Sequence, residues 1–141
     1  MTRLRAIDQE RPLRVLVCGG RHFDNPFWLQ LTLDELFPGG VACVIEGGAS
    51  GADRQAREWA LKLGVPVLTF HADWFAHGPG AGPLRNRRML EEGKPDIVVA
   101  FPGGPGTRNM VKQARAAGIL VHQFDETASS VALRKRASEA R

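Results

Sequence analysis

Three short glycine runs carry the residues of this chain that can do chemistry. The richest is Phe101-Pro102-Gly103-Gly104-Pro105-Gly106-Thr107, which follows the apolar run Ile97-Val98-Val99-Ala100 and leads into a helix-compatible stretch from Asn109 to Ala117. Glycine tolerates positive φ and lets a ligand come close to the backbone. A helix start beside it offers unpaired N–H groups and the positive end of a dipole, a combination suited to phosphate. Gly103, Gly104, Gly106 and Thr107 are therefore candidate phosphate ligands. Glycine turns also serve tight geometry alone, so the reading rests on the agreement of all three runs.

The first run, Gly19-Gly20-Arg21-His22-Phe23-Asp24, ends an apolar strand-like segment. It lacks the G-x-G-x-x-G spacing of the dinucleotide fingerprint, and no cofactor is expected. Arg21 carries a forked guanidinium suited to a phosphate or carboxylate, with a surface pair to Asp24 as the plainer alternative. In the second run, Gly47-Gly48-Ala49-Ser50-Gly51-Ala52-Asp53, Ser50 and Asp53 are spaced like an N-cap and its return partner. Asp53 equally suits a ribose hydroxyl or an attacking water, and both readings stand. Gly47, Gly48 and Gly51 exceed what capping alone requires.

A further segment, Ala81-Gly82-Pro83-Leu84-Arg85-Asn86-Arg87-Arg88-Met89, begins a helix at Pro83. Arg85 and Arg88 share a face, and Arg87 points to solvent. With Arg85 and Asn86 in the first turn, a cation meets the unfavourable end of the dipole, which suggests an anion there. His71, Asp73 and His77 match no strong metal-ligand spacing, and no metal is expected. Trp74 and Phe75 suit stacking on a base or service as an apolar lid. No G-x-S-x-G nucleophile motif is present.

The elements that must position these residues alternate regularly. Strands are expected at 13–18, 41–45, 65–70, 96–101 and 119–124, with helices at about 26–37 (Asn25-Pro26 marking the start), 52–63, 83–92 and 109–117. The stretch 71–82, rich in Gly and Pro, reads as irregular. Most strands are continuously apolar, as in a parallel sheet covered on both faces. Right-handed crossovers then give a Rossmann-like, doubly wound α/β fold with strand order 3-2-1-4-5. Pro66 assigns the third strand to an edge. Ligands in such sheets bind beyond the carboxyl ends of the strands at the switch point, here between strands one and four. The three glycine runs all fall on that side.

At 141 residues, the chain fits a single domain. The expected division is a tail at 1–12, the domain at 13–124, and a helix or tail at 125–141. No apolar run reaches the roughly 20 residues of a membrane span. The first ten residues hold no apolar core of a secretory signal. Cys18 and Cys43 read as buried reduced thiols, and a cytoplasmic location is expected. A net charge of +4 and a pI near 9.7 favour anionic partners. The basic residues at both ends read as solvated tails.

Taken together, Gly19-Gly20-Arg21, Gly47 to Asp53, Ala72-Asp73-Trp74, His77-Gly78, Ala81 to Asn86 and Pro102 to Thr107 resemble the YspA/YpsA-related branch of the SLOG superfamily. That superfamily unites the DNA-processing protein DprA with the LOG "lysine decarboxylase-like" proteins. The resemblance covers roughly 13–124 and implies a domain binding a nucleotide or nucleotide-derived ligand. LOG enzymes cleave the N-glycosidic bond of nucleoside monophosphates and carry a PGGxGTxxE signature. Pro102 to Thr107 match it, whereas Met110 stands at the glutamate position. A phosphoribohydrolase would then need its carboxylate from Asp53 or Asp73. Resemblance also raises a homodimer, as in LOG proteins, and single-stranded DNA binding, as in DprA. DNA ranks below a small nucleotide.

Overall fold

The computed structural model describes residues 11–125. The expectations for residues 1–10 and for most of the C-terminal segment lie outside them. Five strands, β1 (Arg14–Cys18), β2 (Cys43–Glu46), β3 (Val67–Thr69), β4 (Ile97–Ala100) and β5 (Leu120–Gln123), form one sheet in the order β3-β2-β1-β4-β5. Every pairing is parallel. The Rossmann-like arrangement expected from the sequence is present, with β3 and its preceding Pro66 at an edge.

Alternation along β1 divides the core. Val15 and Val17 face one layer with Trp28, Leu29, Leu33, Ala56, Trp59 and Val99, while Leu16 and Cys18 face the other with Ile45, Met89, Val98, Met110 and Ala114. The first layer is covered by α1 (Pro26–Leu36) and α2 (Ala52–Lys62), the second by α4 (Ala81–Gly93) and α5 (Pro105–Ala116). Of the apolar stripe expected on α2, Ala52, Ala56, Trp59 and Ala60 are buried, but Leu63 lies past the helix end and is exposed. Both cysteines are free and buried. Burial raises both thiols above their ordinary range. Among the described residues, no helix is long and apolar enough to cross a membrane.

Three boundaries depart from expectation. The stretch after β3 is not irregular: α3 (Trp74–His77) and a 3-10 turn (Gly78–Gly80) lead directly into α4. Asp73 caps α3 by accepting the Ala76 N–H at 3.0 Å. Next, α4 starts at Ala81 rather than Pro83. Proline is tolerated throughout a first turn, where no N–H has an intrahelical partner. Arg85 therefore lies in the second turn, and the dipole argument for an anion beside it lapses. Finally, α5 begins at Pro105, whose fixed φ suits the first helical position. Gly106 and Thr107 are helix residues, not loop.

At the opposite end of the sheet, Arg11, assigned to a tail, is instead anchored. Its guanidinium spans both Asp96 oxygens at 2.5 and 2.7 Å. The Arg14 side chain donates to the Gly93 carbonyl at 2.6 Å. These contacts close the amino ends of β1 and β4 and leave the carboxyl ends to the glycine loops.

Candidate functional site

The three loops are locked together by backbone contact. Gly20 N–H donates to the Pro102 carbonyl at 2.8 Å, and the Gly20 carbonyl accepts from Ala52 N–H at 3.2 Å. Ser50 Oγ donates to the Arg21 carbonyl at 3.0 Å, and Gln55 Nε2 to that of Phe23 at 2.7 Å. Beneath the first loop, Phe23 packs on Phe101 with ring centroids 5.5 Å apart, and Trp28 meets Phe101 edge-on at 5.2 Å. An aromatic floor of this kind holds the loop at fixed height above the sheet.

This locking explains some glycines without a ligand. A Cβ on Gly51, whose φ is +73°, would lie 2.2 Å from the Gly20 carbonyl oxygen. One on Gly19 would meet Ala52 Cβ at 2.6 Å, and one on Gly103 would meet Thr107 Oγ1 at 2.2 Å and Gly20 N at 2.7 Å. Gly104 and Gly106 differ: a Cβ on either meets no atom within 4 Å. Their bare surfaces adjoin open space.

That space is a cavity of about 580 Å³ between the first and third loops, lined by Gly19 to Phe23 on one side and Pro102 to Thr107 on the other. Gly104 is the N-cap of α5, and no side chain caps the helix. Arg108 N–H is the first to bond within the helix, to the Gly104 carbonyl at 3.1 Å. Pro105 has no N–H, so Gly106 and Thr107 supply the unpaired donors of the first turn. Arg21 is exposed at the cavity's rim, and the alternative pairing with Asp24 does not form. Its charge is available to an anion.

A second cavity of about 650 Å³ opens over the Gly47–Ser50 loop. Arg21 lines it as well as the first, so the two meet at that side chain. His71, Trp74 and Arg85 form its far wall. Arg85 is aimed by its contacts: Nη1 donates to the Gly47 carbonyl at 2.6 Å and Nε to Asn86 Oδ1 at 3.0 Å. Asn86 is itself buried and donates to the Gly106 carbonyl at 3.2 Å and Asn109 Oδ1 at 3.1 Å. It ties α4 to the first turn of α5 rather than facing either cavity. Arg88 lines neither. It pairs with Glu92 at 3.1 Å and lies over the Phe70 ring. Arg87 pairs with Glu91 at the surface, in keeping with its solvated reading.

Two buried carboxylates flank the second loop. Asp53, 6% exposed, accepts the Ala49 N–H at 3.2 Å. Gly51, not Ser50, is the N-cap of α2, so the capping box does not form. Burial pushes the Asp53 carboxyl up to about 6, the Ala49 N–H opposes this, the Glu46 charge adds to it, and Arg85 and the Gly47 N–H oppose it. Glu46 is fully buried at the end of β2. It accepts the Gly48 N–H at 2.7 Å and the Thr69 hydroxyl, with Arg57 Nη1 at 3.5 Å. Sequence reasoning missed Glu46; its only signal was a carboxylate ending an apolar strand run. Asp73, the other proposed catalytic carboxylate, is the exposed cap of α3 and lines neither cavity. Met110 is 1% exposed and packed in the core. Among the described residues, no three metal-ligating side chains cluster.

Asp53 makes stability pH-dependent in a definite direction. Its folded value lies above the ordinary 3.8, so the folded state binds the proton more tightly. The stabilisation is complete below the unfolded value and is lost as pH rises through about 6. Asp53→Asn removes the ionised form and should raise unfolding free energy near pH 8 by up to about 3 kcal/mol, with little gain near pH 4. Urea titrations at the two pH values measure this. Equal effects at both would refute the assignment.

A parallel sheet with its glycine loops gathered at the switch point, beside an uncapped helix start and an unpaired arginine, defines a Rossmann-like α/β domain. The family model described as YspA, cpYpsA-related SLOG matches residues 13–77. "Gene 61 protein" of Mycobacterium phage D29 is 40% identical over 124 residues, spanning 80% of this chain and 97% of that protein. The chain belongs to the YspA, cpYpsA-related SLOG family. No solved structure gives a significant match.

Proposed function

We propose that this protein binds a nucleotide or nucleotide-derived ligand, its phosphate seated in the cavity between the first and third loops. The observation that carries this reading is the start of α5. Gly104 and Gly106 leave open space there, the Gly106 and Thr107 N–H groups lack a side-chain cap, and Arg21 stands unpaired at the rim. Backbone donors at a helix start and a forked cation are a recurrent answer to phosphate. Membership of the SLOG family supports a nucleotide-related ligand over other anions.

Thermal-shift measurements against inorganic phosphate, nucleoside mono- and diphosphates, cyclic nucleotides and ADP-ribose test the reading. A ligand at about a hundred times its Kd stabilises by about 2.7 kcal/mol, a rise of several degrees for a domain of this size. No shift from any member of the panel would sink it.

Hydrolysis of an N-glycosidic bond is the second reading, favoured by one observation: a carboxyl brought to about 6 beside Arg85. Such a group can exchange a proton near neutrality. Against it, Asp53 lines neither cavity, so a loop movement would have to expose it. Release of free base from a nucleoside monophosphate, abolished by Asp53→Asn, would support turnover; tight binding without release would leave a binder.

A further inference from the structure

We infer that the second cavity is the base subsite of the ligand, with the Trp74 indole as its stacking platform. This deepens the nucleotide reading and rests on it. Trp28 and Trp59 are buried in the core, whereas Trp74 is 52% exposed and lines the cavity. The ring has a built seat: a Cβ on Gly82 would come within 3.3 Å of its Cη2, so the absence of a side chain there lets the indole lie against the start of α4.

The surrounding chemistry suits a planar, electron-rich ring joined to an anion. Cationic or neutral polar groups, Arg21, Arg85, His71 and Ser50, line the cavity, and no carboxylate does. His71 is packed on the Gly48 backbone, where a Cβ would meet Nδ1 at 2.5 Å. Arg85 is held by the Gly47 carbonyl. The cavity thus has one half-exposed aromatic face and a fixed polar wall. Arg21, shared with the phosphate cavity, spans the position of the sugar. Stacking on an aromatic face tolerates any base, and the pocket is expected to discriminate base from no base more than one base from another.

The test compares four nucleoside monophosphates with ribose 5-phosphate by calorimetry, on wild type, Trp74→Leu and Trp74→Phe. Trp74→Leu should weaken the nucleotides by about tenfold and leave ribose 5-phosphate unchanged, while Trp74→Phe keeps most of the affinity. Nucleotides should also quench tryptophan fluorescence in the wild type and not in Trp74→Leu, because the other two indoles are buried. Melting curves of the free variants establish that the fold is retained. Equal affinities in wild type and Trp74→Leu, or a parallel loss for ribose 5-phosphate, would overturn the base subsite while leaving the phosphate cavity standing. Failure of the wild type to bind any of the five or any member of the thermal-shift panel would overturn the nucleotide reading and this inference with it. Trp74-dependent binding of an oligothymidylate without binding of mononucleotides would overturn the small-molecule assignment in favour of a strand.

Discussion

A valine at position 104 should abolish ligand binding while leaving the fold nearly intact, and an alanine at position 103 should do the reverse. The neighbours occupy adjacent places in the same loop, yet their surroundings are opposite. A Cβ on Gly104 meets nothing within 4 Å, and its φ of −99° lies outside the left-handed region that favours glycine. The cost to the free protein is the poorer N-cap, about 1 kcal/mol or less. The branched methyls, however, would stand where an oxygen must come to reach the Gly106 and Thr107 N–H groups. Loss of that approach should weaken a phosphorylated ligand by a hundredfold or more, about 2.7 kcal/mol.

Gly103 is enclosed instead. An alanine Cβ there would press on Thr107 Oγ1 at 2.2 Å and on Gly20 N at 2.7 Å. The threonine can rotate, but the Gly20 backbone is fixed by its bond to the Pro102 carbonyl. Overpacking of this kind typically costs about 1–3 kcal/mol. Denaturant titration of the free variants, paired with thermal shifts in the presence of the best ligand, separates the two effects. If both variants lose stability alike, or Gly104→Val still binds, the open face of Gly104 is not the ligand's approach.

The contrast explains how far the site could be read from the sequence. Alternation of strands and helices is a long-range pattern, and the apolar runs ending at Cys18, Ile45 and Ala100 suffice for the sheet order and for the edge on which the loops gather. A glycine, by contrast, is one letter with two uses. Gly51 and Gly103 are glycines because another loop's backbone occupies their side-chain space; Gly104 and Gly106 leave theirs free. Only three-dimensional neighbours distinguish these cases. Arg88 illustrates the same limit: helical spacing puts it on a face with Arg85, but Glu92 and Phe70 claim its guanidinium. Asn86 has the composition of a ligand contact and the environment of an internal strut. The start of α4 falls two residues before Pro83, because proline is tolerated anywhere in the first turn.

Replacing Glu46 by alanine should destabilise the protein by about 1–3 kcal/mol, whereas glutamine should be tolerated with a loss of about 1 kcal/mol or less. The carboxylate is completely buried, which is uncommon without partners that satisfy it. Its partners are the Gly48 N–H, the Thr69 hydroxyl and Arg57. Alanine leaves the Gly48 N–H without its acceptor, which costs about 1–3 kcal/mol, whereas the exposed Thr69 hydroxyl can turn to water. Arg57 is one-third exposed and can turn to water, so its share is small. Glutamine keeps an oxygen for Gly48 and offers an amide to the threonine oxygen, which preserves the loop. It also removes a negative charge that raises the Asp53 carboxyl. In Glu46→Gln, Asp53 should therefore titrate below its present value of about 6, a shift that carbon-detected NMR of the aspartate carboxyls can follow. An unchanged Asp53 midpoint would mean that the two carboxylates, although they flank one loop, do not sense each other. A glutamine as damaging as alanine would mean that the charge on Glu46, rather than its capacity to accept hydrogen bonds, holds Gly48 and with it the floor of the second cavity.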